Sequence, residues 1–361
     1  MRDQLSRTKR VHIITPEEAA VADLKATNIR LMRQLAKANA KREDLVNAVY
    51  QAAKDAASAL DLPNVVKPRY DKRRARTPET AIAVLSDWQL AKRTATYNTK
   101  VCESRIELYA RKVIRLTKMQ RAAHPVRNLR VYLLGDLIEG EMIFPGQAHL
   151  IDGSMFAQVM LDGPRILGNF LRHMLTEFDT VEVTGVIGNH GALGSGPFRR
   201  AYHPESNADA MMYEATRLVL QSEKRLKWAP NFTPGERKWY AVDYIGDKGF
   251  LLFHGDQVRG FTGVPWNAFK TKLLGWATGA IPERFDYAVA GHYHTPTRML
   301  AGRIRCWVSG STESDNTYAS EQLAAMGTPS QWLLFCRGDR GVTAEYEIHL
   351  GDDYAKGAEK E

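Results

Sequence analysis

The chain has 361 residues, 44% of them hydrophobic and 25% charged, enough to bury one large core or two modest ones; a wholly disordered chain and a peptide-sized module are both excluded. No window approaches the roughly 18 uninterrupted apolar residues of a membrane span, and the first residues, MRDQLSRTKR, lack the apolar run of a secretory leader. The formal charge of +9 is uneven: residues 1–80 hold 17 Lys/Arg against 10 Asp/Glu, a net of +7, which leaves +2 for the rest; this fits an acidic partner, nucleic acid first among them, or a basic excess that simply keeps the protein soluble.

From Thr15-Pro16-Glu17-Glu18, a capping residue followed by a first-turn proline and early acids, helix formers run to about Leu60 without a glycine. Leu24, Asn28, Leu31, Leu35, Ala38, Arg42, Leu45, Val49, Ala52 and Ala56 follow spacings of four and three, interrupted by two polar members. This predicts a helical arm over 1–62. Either it joins copies or a protein partner through residues 17–60, or it is a helical pair folded back on the body. Prolines 63, 68 and 78, with six basic residues from Lys67 to Arg76, then read as an extended linker over 63–79. Such a stretch can follow a phosphate backbone or simply be solvated.

After Ala81 short β-rich runs alternate with helices. The predicted strands are Ala81–Leu85, Arg130–Leu134, Val181–Ile187, Trp239–Tyr244, Phe250–Phe253, Tyr287–Ala290, Arg303–Val308, Trp332–Cys336 and Ala344–Ile348; the predicted helices are about 103–121, 155–177 and 206–222. Early βα alternation followed by a strand-rich half predicts an α/β fold of two packed sheets with helices outside, over 80–350, and a tail over 351–361. Cys102, Cys306 and Cys336 are odd in number, far apart and without CxxC spacing, so a reducing cytoplasm is the expected setting.

Five of the hydrophobic runs end in polar groups able to bind a metal. AIAVL leads into Ser86-Asp87-Trp88-Gln89, RVYLL into Gly135-Asp136 and then Glu139, VEVTGVI into Gly188-Asn189-His190, GFLLF into His254-Gly255-Asp256, and DYAVA into Gly291-His292-Tyr293-His294. Polar side chains that leave buried strands meet at one rim of a sheet, where α/β folds place their sites. Carboxylates, imidazoles and an amide oxygen suit Mn2+, Fe or Zn2+. Two such ions about 3.5–4 Å apart can activate water and stabilise a pentavalent phosphorus, with Asp136 the bridging candidate. Taken singly, Asp87 or Asp136 also reads as a helix cap, Asn189 as a turn residue and each histidine as a polar strand end. The ordered conjunction carries the metal reading.

The order D-x-H, G-D-x-x-[DE], G-N-H-[DE], H, G-H-x-H resembles that of the calcineurin-like metallophosphoesterases across about residues 80–310. The resemblance implies a two-sheet metallophosphoesterase β-sandwich flanked by helices, with a dinuclear centre of divalent ions, Mn2+ before Fe or Zn2+. It implies Asp87, Gln89, Asp136 and His294 around one ion, and Asp136, Asn189, His254 and His292 around the other. His190 then stands beside the phosphate as the proton donor to the leaving oxygen, and the attacking hydroxide is activated by the metal. Two residues depart from the pattern. Gln89 stands in place of histidine, and Gly191 in place of the acid after GNH, so that the group orienting His190 must come from elsewhere.

Arg199, Arg200 and His203 follow on the loop that begins GALGSGPF and can contact phosphate, or the loop is merely solvated. Residues 260–276 combine Trp266, Phe269 and Trp276 with Lys270 and Lys272, either as a base-stacking surface or as a helix burying its aromatics. The expected activity is hydrolysis of phosphodiester bonds, in DNA, within the branch of nucleases that process DNA ends. The alternatives are a phosphatase or phosphodiesterase of nucleotides or phosphoproteins, and a structural or nucleic-acid-binding protein with a degenerate centre.

Overall fold

Runs of β-branched, leucine and aromatic residues punctuated by glycine and proline become strands here, and the central ones, Ala81–Leu85, Phe250–Phe253 and Ala288–Ala290 among them, find apolar cover on both faces. The computed structural model describes residues 27–28, 30–34, 37, 77–193, 203–233, 235–260, 263–314 and 328–351. The chain divides into two compact units, 1–52 and 53–361. In the first, the described residues are helical. Most of the expected arm, the linker as far as residue 76, Arg199, Arg200 and the tail from residue 352 lie outside the described residues.

In the second unit β1 (Glu79–Leu85), β2 (Val126–Leu133), β3 (Thr180–Gly185) and β4 (Leu226–Trp228) run parallel. With β10 (Ser330–Arg337) and β11 (Gly341–His349) they form a six-stranded sheet in the order β11-β10-β1-β2-β3-β4. A second sheet of five strands has the order β5-β6-β7-β9-β8, from β5 (Tyr240–Ile245), β6 (Lys248–Phe253), β7 (Tyr287–Ala290), β8 (Thr297–Ala301) and β9 (Ile304–Val308). The two sheets share one apolar core. Ile82, Val84, Tyr132 and Leu334 meet Phe250, Leu252, Val289 and Trp307 in it. Each large side chain buried there stabilises the sandwich by roughly 1.5–3 kcal/mol, which makes the strand ends rigid supports.

Helices cover the outside. α1 (Thr99–Gln120) is capped by Asn98, whose side chain accepts the Val101 N–H, and Tyr109 from this helix donates its hydroxyl to Trp332 O across β1 and β10. α2 (Gly163–Glu177) and α3 (Ala208–Val219) pack on each other. α4 (Trp266–Gly275) closes the outer face of the second sheet by burying Phe269 and Leu273, and Trp276 follows them into that core. Phe269 and Trp276 are therefore packing residues, while Trp266 is exposed.

Three details differ from the sequence reading. Strands β4 and β8 were not expected: three residues are too few to show alternation, and TRMLA carries an arginine and exposed leucine in an edge strand. The helix expected over 155–177 divides into a π turn, Ala157–Asp162, and α2, because Pro164 has no N–H to continue the ladder. β1 opens at Glu79, the last residue of the expected linker, since this buried carboxylate is held by Gln120 and Thr343. Among the described residues no helix is long and apolar enough to cross a membrane, and all three cysteines are buried and free.

Candidate metal centre

The ends of β1, β2, β6 and β7, with the turn after β3, converge because their loops are bonded backbone to backbone. Asp87 N–H donates to Gly135 O, Gln89 N–H to Asp136 O and Gly291 N–H to His254 O. The cost of this convergence lies in the backbone. Among the described residues only six other than glycine have positive φ, and five are the expected ligands Asp87 (52°), Gln89 (49°), Asp136 (51°), His292 (74°) and His294 (52°). Left-handed geometry at such residues costs about 1–3 kcal/mol each, and strain of this kind collects where a site over-determines it.

Three candidate ligand atoms crowd around Nε2 of His254, a fully buried residue. Its Nδ1 bonds Leu134 O at 2.8 Å, which leaves Nε2 2.9 Å from Asp136 Oδ2, 3.1 Å from Asn189 Oδ1 and 3.2 Å from His292 Nδ1. Ligand atoms of Asp136, His254 and His292 all lie within 4.8 Å of one another, a group of the size that can hold a metal ion. Burial, and then the charge of His254, drives His292 down to about 3, so it presents a neutral ring. Although burial opposes both shifts, His254 is raised to about 10 by Asp136, and Asp136 is held well below the usual carboxylate range by His254 and His190.

Beside this group, His294 Nε2 lies 3.4 Å from Asp87 Oδ1, and Asp87 also accepts the His292 N–H. Gln89 is fully buried, and neither polar atom of its amide has a hydrogen-bond partner among the described residues. An orphaned buried amide costs about 1–3 kcal/mol, so its oxygen suits a cation that completes it. Hard oxygen donors and borderline imidazoles in these two adjacent groups fit divalent transition ions, and the donor set contains no sulfur.

His190 is set apart from the ligand cluster. Its backbone N–H donates to Asp136 Oδ1 at 2.7 Å, and its ring Nδ1 is 2.9 Å from Glu139 O and 3.5 Å from Glu139 Oε2. Glu139 thus supplies the acidic partner that Gly191 does not. A side chain at 191 has no room: a Cβ there would lie 2.3 Å from Asn207 Oδ1, the atom that caps α3. Although burial opposes it, Asp136 and then Glu139 raise His190 to about 9, which keeps it protonated at neutral pH.

Asp209 escaped the sequence reading. It lies in the first turn of α3, fully buried, and its carboxylate accepts N–H groups from Asp136 (2.9 Å), Leu137 (3.1 Å) and Gly188 (2.9 Å), fastening two ligand loops together. Burial and the charge of Asp136 push it up to about 6. In the sequence only its place after the cap Asn207 marks it, which reads as an ordinary helix start. Of the expected phosphate-binding residues, His203 is exposed and bonded to Glu205.

Gly188 is fitted tightly against this centre. A Cβ there would lie 2.0 Å from Asp136 Oδ1 and 2.4 Å from Asp136 N. Gly188→Ala is expected to cost about 1–3 kcal/mol in denaturant unfolding by overpacking. A midpoint equal to that of the unsubstituted protein refutes the tight fit.

No protein-family profile matches the chain, and no curated protein does. Among solved structures it is similar to a conserved uncharacterised protein from Streptococcus pneumoniae, a predicted phosphoesterase (13% identity over 75% of this chain and 99% of that one, TM-score 0.30). It is similar also to the Zn2+ complex of Vps29 from Entamoeba histolytica (12%, 75% and 99%, TM-score 0.32) and to a novel archaeal phosphodiesterase (11%, 75% and 99%, TM-score 0.34). Likeness of this order bears on neither substrate nor chemistry, which rest on the residues of the centre.

Proposed function

We infer that the chain, a two-sheet protein of the calcineurin-like phosphoesterase superfamily, is a metal-dependent phosphoesterase that hydrolyses phosphodiester bonds, with DNA as its substrate, acting in a reducing, cytoplasmic setting. The observation that carries this reading is the meeting of Asp136, Asn189, His254 and His292 ligand atoms at one point, with a protonated histidine held next to them. Asp136, Asn189, His254 and His292 would hold one divalent ion, and Asp87, Gln89, Asp136 and His294 a second, Mn2+ before Fe or Zn2+. Such ions supply positive charge to phosphate oxygens and activate water for attack.

The protein's own part is positioning and proton supply. Glu139 accepts from Nδ1 of His190 through its carbonyl and draws that side of the ring toward its carboxylate, so Nε2 is the atom left to hand a proton to the leaving oxygen. Asp87, Gln89, Asp136 and His254 are buried, and the low polarity of their surroundings strengthens each electrostatic contact. DNA is favoured over a small metabolite by the +7 carried on residues 1–80, beside a nearly neutral remainder.

Hydrolysis of linear DNA, bis-p-nitrophenyl phosphate and p-nitrophenyl phosphate with added Mn2+ tests the reading. DNA and the diester are expected to be cleaved faster than the monoester. Preference for the monoester with DNA untouched defeats the nuclease assignment, and inactivity toward all three in every divalent ion defeats the esterase.

A second expectation concerns Glu139. Because His190 must be protonated to act, and Glu139 helps to raise its pKa, Glu139→Gln is expected to move the alkaline limb of the kcat–pH profile down by about 1 unit or more. The acidic limb should stay in place. An unmoved alkaline limb separates Glu139 from the proton donor.

A further inference from the structure

The loop after β9 brings a second carboxylate to the centre that none of the five strand-end blocks contains. Glu313 is 6% exposed, and its Oε1 is 2.6 Å from Nδ1 of His294. Its Oε2 is paired with the ammonium of Lys92, which follows Gln89 by three residues and donates its backbone N–H to Gln89 O at 2.9 Å. The segment carrying Glu313 is fastened to Asp87 as well. Ser311 Oγ donates to Asp87 O at 2.6 Å and accepts the Glu313 N–H at 2.9 Å, while Arg105 from α1 donates to Thr312 O at 2.7 Å.

We propose that Glu313, itself held by Lys92, is the positioning residue that fixes the ring of His294 for cation binding beside Asp87 and Gln89. This deepens the metal reading above and rests on it. An ionised carboxylate only accepts hydrogen bonds, so the His294 nitrogen facing Glu313 must carry the hydrogen, and the lone pair of the neutral ring is then on Nε2, the atom facing Asp87. Lys92 occupies the other carboxylate oxygen, which keeps Glu313 partnered and off the cation itself. Glutamine at 313 offers both a donor and an acceptor and so no longer selects between the two ring forms. Removing outer partners of this kind weakens metal binding by about 10–100-fold.

The test is Mn2+ titration of the full chain by calorimetry, with metal-free melting temperatures recorded alongside, for the unsubstituted protein, His294→Ala, Glu313→Gln, Glu313→Asp and Lys92→Met. His294→Ala identifies the ion in question by abolishing its isotherm. Glu313→Gln is expected to weaken that same ion about 10–100-fold and leave any other Mn2+ unaffected. Glu313→Asp should recover part of the loss, and Lys92→Met should shift the ion in the same direction by less. An isotherm unchanged in Glu313→Gln while His294→Ala alters it overturns the proposal alone. So does equal weakening of all bound Mn2+ together with a lowered metal-free melting temperature, which is the mark of a purely structural role. Failure of the unsubstituted protein to take up Mn2+, or indifference of its isotherm to His294→Ala, overturns the metal reading at this position and this inference with it.

Discussion

Replacing Asp136 by asparagine is expected to lower kcat/KM by about 1,000-fold or more, about 4 kcal/mol of transition-state stabilisation, and to remove bound metal. Asp136 is the group through which the centre is connected: its Oδ2 meets His254, its Oδ1 accepts the His190 N–H, and its backbone holds Gln89 on one side and Asp209 on the other. The backbone contacts survive the substitution, but the charge does not. His254 then loses what keeps its proton and becomes neutral, so no bare buried charge is left and the fold is retained at neutral pH. Asp209, pushed upward partly by Asp136, should ionise more readily in the variant. Metal content by elemental analysis, kcat/KM on bis-p-nitrophenyl phosphate and circular dichroism check the metal, the activity and the fold. A folded variant with full metal content and activity removes Asp136 from the centre.

Replacing His190 by alanine separates proton supply from metal binding. The ring touches Glu139 and lies 4.0 Å from Asp136 Oδ2 through Nε2, outside the cluster around His254. Metal content is therefore expected to stay near that of the unsubstituted protein. Hydrolysis of DNA, whose alkoxide leaving group needs a proton, should fall by about 100- to 10,000-fold in kcat. Hydrolysis of bis-p-nitrophenyl phosphate should fall much less, because a nitrophenolate departs without one. An equal loss on both substrates points away from general acid catalysis. A loss of metal makes His190 a ligand.

Much of the fold and of the candidate centre is legible in the sequence because both are written in short stretches. AIAVL, RVYLL, GFLLF and DYAVA are apolar runs bounded by glycine, serine or aspartate, and β1, β2, β6 and β7 contain most or all of their residues. A polar group at the end of a buried run has few places to go except the rim, so Asp87, Asp136, His254 and His292 could be named before any coordinate. The same rule places Asn189 and His190, which leave the turn after β3. What failed was whatever lacked a local signature: β4, with three residues; β8, an edge strand of mixed character; and the break in the helix before α2, where a proline interrupts a pattern that otherwise reads as continuous.

The partners of the candidate ligands belong to the tertiary structure. Asp209, Glu313 and Lys92 come from a helix start, a loop and the chain just beyond β1, each of which reads in isolation as solvated or capping. Only the closure of two sheets on one core brings Glu313 to His294 and Asp209 to the loops of Asp136 and Gly188. The chain's linear order settled which donor types stand at the strand ends, since hydrophobic periodicity and turn residues act over a few positions. The folded molecule decided how those donors are oriented and charged. Hydrogen bonds and buried charges act over a few ångströms of space, whatever their separation along the chain.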